Sequence, residues 1–211
     1  MSLLLESESS LGTPAPLAGN EVLLGPDPSV CKIKGVMFGG RKQFLLDQFG
    51  EEGYYAVLAR LSPETLKITR TPLASAWYDF AALVELDKTI YEFGKEKHPH
   101  ILELVGAASA ELGIGRVYRM LDNTELLKFL ENIASFHQQY QKYGRVEFHK
   151  TPHGARMDYL EYPCYSPYYC ASALGFYKEA ILRHGGTDPR VVEVKCHCRG
   201  DAVCSFEMEW K

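Results

Sequence analysis

The first thirty residues of this 211-residue chain contain no lysine, arginine or histidine. Four of the 27 acidic residues fall there (Glu6, Glu8, Glu21 and Asp27), so the rest of the chain is balanced, with 23 acidic against 23 basic residues. A body without net positive charge lacks the phosphate-neutralising field on which nucleic-acid affinity largely rests, and no direct nucleic-acid partner is expected. No apolar run approaches the ~20 residues of a membrane helix. Met1-Ser2-Leu3-Leu4-Leu5-Glu6 has neither the basic start nor the long apolar stretch of a secretory signal. A cytoplasmic protein with no membrane partner is therefore expected. A phosphate-binding glycine loop and a defensible Ser/His/Asp order are also missing, which argues against an enzyme. Gly39-Gly40 and Gly113-x-Gly115 read as turns, and Asp87, Glu92 and Glu96 as solvated faces.

What is present is an ordinary globular composition, 46% hydrophobic and 24% charged, with 13 Tyr and 10 Phe. The aromatics imply either an aromatic core or a roomy apolar pocket. Residues 1–30 are rich in Ser, Gly, Pro and Leu without a sustained period, and read as a flexible acidic tail. Residues 31–211 are read as one domain. Ile33 to Met37 suggests a short strand or entry turn. Phe44 to Leu58 suggests two short helices split at Gly50 and Gly53. Leu83, Leu86, Ile90 and Phe93 mark a helix by their three-or-four spacing, as do Leu102, Val105, Ala108 and Leu112 after Pro99. The longest helix is expected over 124–142, capped by Asp122 or Asn123, with His137 on its apolar stripe.

After Gly144 the period becomes two. Arg145–His149 and Ala155–Tyr162 read as paired strands. Ser166-Pro167 opens a helix that stops at His184-Gly185-Gly186. Val191 to Trp210 closes the chain as a hairpin around Gly200-Asp201. The order is helices, then strand-strand-helix-strand-strand: an α+β fold with an antiparallel sheet packed on helices.

Three of six cysteines lie in that hairpin. Cys196 and Cys204 sit on its two arms near the turn, and Cys170 in the first turn of the preceding helix, where the helix N-terminus favours thiolate. A zinc site needs about four donors. Glu193, His197, Cys198 and Cys164 are candidates for the fourth. Glu193 lies three positions from Cys196, so a regular strand points the two apart, and its participation needs a twist or bulge. Buried cysteines acting as small hydrophobes, or a redox pair, are the alternatives.

Glu193-x2-Cys196-x7-Cys204, with Gly200-Asp201 inside and Cys170 upstream, resembles the 4-vinyl-reductase-like small-molecule-binding domain of bacterial sensors for phenols and aromatic hydrocarbons. The resemblance implies a structural zinc on Cys170, Glu193, Cys196 and Cys204 beside a ligand pocket. Lys34-Gly35-Val36-Met37 and Phe129–His137 are similar to the wider superfamily that includes heme–nitric oxide/oxygen-binding domains, with His137 at the place of the heme-ligating histidine. Heme members carry Tyr-x-Ser-x-Arg; here the stretch is Tyr162-Pro163-Cys164-Tyr165-Ser166, so the Ser and Arg are replaced and heme is expected to be unlikely.

The combined expectation is a small-molecule sensor domain that binds an apolar or aromatic ligand. Phe136, His137, Tyr140, His149, Tyr159 and Tyr162 would line its pocket, and a zinc clasp would hold the last hairpin. A homodimer and an unidentified signalling partner are expected. The alternatives are a heme-based sensor of NO or O2 using His137, and a ligand-free dimerising module.

Overall fold

A computed structural model describes residues 30–113 and 125–211. The tail and the helix cap sought at Asp122 or Asn123 lie outside the described residues. Strand β1 (Lys32–Lys34) pairs antiparallel with β2 (Trp77–Asp79), with Ile33 opposite Tyr78. Helix α1 (Val36–Leu58) bends at Gly50, whose φ of 66° is open to glycine and strained for other residues. Gly53, the second expected break, stays inside the helix. Helix α2 (Pro63–Arg70) starts where the Ser62 hydroxyl accepts from the Thr65 amide. Helices α3 (Phe80–Gly94) and α4 (Ile101–Leu112) bury Leu83, Leu86, Ile90, Leu102 and Val105, the apolar stripes of the sequence.

Helix α5 runs only from Leu126 to Phe136, followed by a 3-10 turn over His137–Gln139. The periodicity extends to Tyr140, but the backbone is taken by another partner. The Lys34 amide donates to the Tyr140 carbonyl and the Lys142 amide to the Lys32 carbonyl, which docks this segment on β1 and ends the helix. His137 is therefore held on a tight turn between helix and strand.

The second half of the chain has the expected order: β3 (Arg145–Thr151), β4 (Gly154–Leu160), α6 (Pro167–Arg183), β5 (Arg190–Lys195) and β6 (Cys204–Glu209). The four strands form one antiparallel sheet in the order β3-β4-β6-β5. Ala155, Met157 and Tyr159 stand opposite Met208, Phe206 and Cys204, and this row faces α6. A second apolar cluster fills the space among α1, α3 and α4. A disulfide joins Cys31, before β1, to Cys164, in the connection from β4 to α6. That removes Cys164 from the candidate metal ligands.

The two halves meet where α4 crosses α6. A Cβ on Gly106 would fall 1.8 Å from the Ser172 carbonyl oxygen, and one on Gly175 would fall 1.8 Å from that of Glu103. Backbone meets backbone there, and no side-chain rotation relieves the overlap. Gly175→Ala is expected to force the helices apart and to destabilise by about 1–3 kcal/mol, the usual range for overpacking. Urea unfolding of the two proteins measures it, and equal midpoints would show that the crossing yields freely.

Candidate functional site

Between the helices and the sheet lies a cavity of about 120 Å³. Helix α1 contributes Met37 and Arg41, α4 Ser109, α5 Ile133, the following turn His137, Tyr140 and Gln141, the sheet Val146 and Tyr159, and α6 Ser172, Phe176 and Tyr177. Its volume is close to that of an engineered cavity of ~150 Å³ that admits benzene.

His137 is buried on this wall. Its Nε2 lies 3.1 Å from the Tyr143 carbonyl oxygen and 2.8 Å from the Tyr162 hydroxyl. Burial lowers its pKa, so the ring is neutral near pH 7 and keeps a lone pair on one nitrogen. An imidazole whose other nitrogen is held by a carbonyl is the arrangement of metal-ligating histidines. The Tyr159 and Tyr177 hydroxyls bond each other, and Gln141 donates to the Tyr169 hydroxyl. Burial holds the hydroxyls of Tyr159, Tyr169 and Tyr177 neutral.

The charge at the cavity was not legible in the sequence. Arg41 is 1% exposed, and its Nε and Nη2 donate to Asp87 Oδ1 and Oδ2 at 2.9 and 3.0 Å. Its Nη1 donates to Ser109 Oγ at 3.1 Å and its Nη2 reaches Ser172 Oγ at 3.4 Å. Asp87 is wholly buried, which corrects its reading as a solvated face. The signal was its spacing, four residues after Leu83 and three before Ile90, on the apolar stripe itself.

The expected lining residues divide. His137, Tyr140 and Tyr159 face the cavity. Phe136 is not among its lining residues, and Ile133, one turn earlier, takes that place. His149 is also outside the cavity. Strand parity turns Val146 and Phe148 inward and leaves His149 beside Glu147 and Asp158. Tyr162 lines a second cavity of about 20 Å³ and touches the first through His137. This smaller space has room for one water. The Tyr143 hydroxyl and Ser166 Oγ on its wall are buried and have no hydrogen-bond partner among the described residues.

Beyond this space lies the thiol cluster. The sulfurs of Cys170, Cys196 and Cys204 form a triangle with sides of 3.9, 3.9 and 4.0 Å. Four thiolates at ~2.3 Å around zinc stand about 3.8 Å apart, so the triangle is already one face of such a tetrahedron. Glu193 completes the group, with all four ligand atoms within 4.8 Å of one another. The parity problem is resolved by the backbone. The β5–β6 register shifts between Glu193 and Lys195, so Glu193 pairs with Phe206 and Lys195 with Ser205. The extra residue of this bulge brings Glu193 and Cys196 to the same face. Glu193 Oε2 accepts from Arg199 at 3.1 Å, while its Oε1 is buried without a hydrogen-bond partner among the described residues. Burial, then the Cys196 thiolate, pushes its pKa up to about 8. Contacts from Cys170, Cys198 and Cys204 hold Cys196 far below the thiol range. One thiolate ringed by thiols and an orphaned carboxylate oxygen suits a divalent cation.

No protein-family model matches the chain, and no curated protein matches its sequence. Solved structures do. An H-NOX protein from S. oneidensis in the Fe(II)NO ligation state aligns with a TM-score of 0.67 at 14% identity, over 85% of this chain and 99% of that one. The Fe(II) unliganded H-NOX protein from K. algicida aligns at 0.63 and 14% identity, over 85% and 97%. An oxygen-binding H-NOX domain related to soluble guanylate cyclases, in its oxygen complex, aligns at 0.61 and 18% identity, over 85% and 95%. The fold is that of the H-NOX domain.

This overturns the expectation that heme is unlikely. That expectation rested on two missing motif residues, whereas the whole architecture is shared with domains solved in defined iron-ligation states. The residues present fit the iron-ligating half of an H-NOX site through His137. They do not supply a propionate anchor, since Arg41 is the one cation lining the cavity among the described residues and it is committed to Asp87. A macrocycle would also need the wall to open, because the cavity has the volume of a single aromatic ring.

Proposed function

We propose that this chain is a sensor domain of the H-NOX type, in which the cavity beside His137, once its wall opens, would hold heme and report a diatomic gas. The observation that carries the reading is the neutral, buried His137 on the wall of the core cavity, with its ring fixed by the Tyr143 carbonyl. Heme would supply the iron that takes up the gas. His137 would hold the iron, Tyr143 and Tyr162 would orient its ring, and Met37, Ile133, Val146 and Phe176 would exclude water. Titration with hemin under reducing conditions tests this. A stoichiometric Soret band is expected, with affinity reduced at least ~100-fold in His137→Ala, since even the outer partners of metal ligands are worth 10–100-fold. A wild-type protein that takes up no hemin would sink the proposal.

A second reading, a sensor of a small apolar or aromatic molecule, is favoured by one observation: the ring-sized cavity. It agrees with the narrower resemblance to the 4-vinyl-reductase-like domain. Native mass spectrometry separates the two by the mass retained, heme or a single small molecule. Under either reading, we infer that Cys170, Glu193, Cys196 and Cys204 hold a structural zinc, with four protein ligands and no open position. The thiol triangle and the orphaned Glu193 oxygen support this.

A further inference from the structure

The wall of the core cavity carries two separate polar groups. His137 is bonded to Tyr143 and Tyr162. Arg41, Ser109 and Ser172 are bonded to one another and to Asp87, and reach the cavity from α1, α4 and α6. Gly40 and Gly106, lining positions beside Ser109 and Ser172, have no side chain to cover this second group. A guanidinium has five N–H donors. Two of those of Arg41 are spent on Asp87 at 2.9 and 3.0 Å, and one on Ser109 Oγ at 3.1 Å. The remaining contacts are long, 3.4 Å to Ser172 Oγ and 3.5 Å to the Met37 carbonyl oxygen, where a hydrogen bond is weak. The serine hydroxyls cannot add donors, because Ser109 Oγ donates to the Val105 carbonyl and Ser172 Oγ to that of Tyr169. The group therefore has N–H capacity to spare, on a cation whose charge Asp87 already balances.

We propose, resting on the second reading above, that Arg41 with Ser109 and Ser172 is a subsite for a hydrogen-bond acceptor, and that the cavity selects a neutral single-ring molecule bearing a carbonyl oxygen. The ring meets the apolar part of the wall, and the oxygen takes up the under-used N–H groups of Arg41 in a charge-assisted bond, about twice as strong as a neutral one. The alternatives each leave something unmet. A hydrocarbon ring leaves those N–H groups as they are. A carboxylate brings a buried charge that Arg41, already paired with Asp87, does not balance. A phenol brings a proton whose acceptor here is a neutral serine oxygen that already accepts from Arg41.

Calorimetric titration of the heme-free, full-length protein with toluene, benzaldehyde, phenol and benzoate tests the subsite. Benzaldehyde is expected to bind about 10–100-fold tighter than toluene, the value of a hydrogen bond to a charged group, and tighter than phenol or benzoate. Its carbonyl stretch is expected to move to lower frequency on binding, a signature that cavity shape alone does not produce. In Arg41→Met/Asp87→Leu, toluene is expected to bind at least as well as in wild type, while the preference for benzaldehyde and the infrared shift are lost. If that variant does not fold, the ligand order and the infrared shift in wild type decide by themselves. Equal binding of toluene and benzaldehyde, tighter binding of phenol or benzoate, an unshifted carbonyl, or a preference that survives in the folded double variant overturns the subsite. A wild type that binds none of the four overturns the second reading instead, and is distinct from these results.

Discussion

Asp87→Ala is expected to lower the stability of the fold by about 3–5 kcal/mol, the cost of removing one partner from a buried ion pair. The loss comes less from the missing attraction than from the guanidinium left behind. Arg41 and Asp87 are 1% and 0% exposed, so water cannot replace the carboxylate. Ser109 and Ser172 still accept from Arg41, but each hydroxyl already donates to a helix carbonyl and carries no charge. For a domain of this size about 3–5 kcal/mol corresponds to a fall of roughly 6–20 °C in Tm. Thermal unfolding of wild type and Asp87→Ala provides the comparison.

The double replacement Arg41→Met/Asp87→Leu separates two roles for the pair. A well-packed apolar pair often equals or exceeds a buried ion pair in stability. The double variant is therefore expected to recover most of the loss. Since Arg41 also lines the cavity, the pair then has a role that stability does not reveal: it sets the polarity of one end of the cavity while adding no net charge. A double variant as unstable as Asp87→Ala would mean that the pair is structural after all.

Much of the fold can be read from the chain because its periods are clean. The stripe of Leu83, Leu86 and Ile90, the Ser166-Pro167 start and the alternation of Cys204, Phe206 and Met208 each match what the structure buries. The failures are local and have physical causes. Helix α5 stops at Phe136 because β1 captures the backbone of Tyr140 and Lys142, a long-range event without a period. His149 falls outside the pocket by the same parity that turns Val146 and Phe148 inward. A charge on an apolar stripe, such as Asp87, needs its partner to be interpreted, and Arg41 is 46 residues away. Cys31 and Cys164 are 133 residues apart, and spacing alone does not reveal such pairings. The bulge after Glu193 is the instructive case. Chemistry required Glu193 and Cys196 on one face, strand geometry placed them on opposite faces, and a single extra residue in β5 reconciles the two.

Stripping the metal from zinc-loaded protein is expected to lower Tm by roughly 8–16 °C. A ligand present at 1,000 times its Kd contributes about 4.1 kcal/mol, and each kcal/mol is worth about 2–4 °C in a domain of this size. The structure explains why so much would be lost. Without a cation, three sulfurs near van der Waals contact attract one another weakly, and Glu193 Oε1 remains buried and unpaired, a cost of about 1–3 kcal/mol. The cluster also ties four elements together: Cys170 lies on α6, Glu193 on β5, Cys196 at the turn and Cys204 on β6. The measurement is thermal unfolding with and without a chelator, with reductant in both arms so that the Cys31–Cys164 pair contributes equally. Cys204→Ser should unfold at the chelated temperature and no longer respond to chelator. Coincident transitions in the two arms would show that the sulfurs are packed as hydrophobes and hold no ion. Tyr159 stands opposite Cys204 in the β4–β6 register and lines the cavity, so metal loss should also loosen the cavity wall. A weaker hemin affinity in the chelated protein would register that coupling.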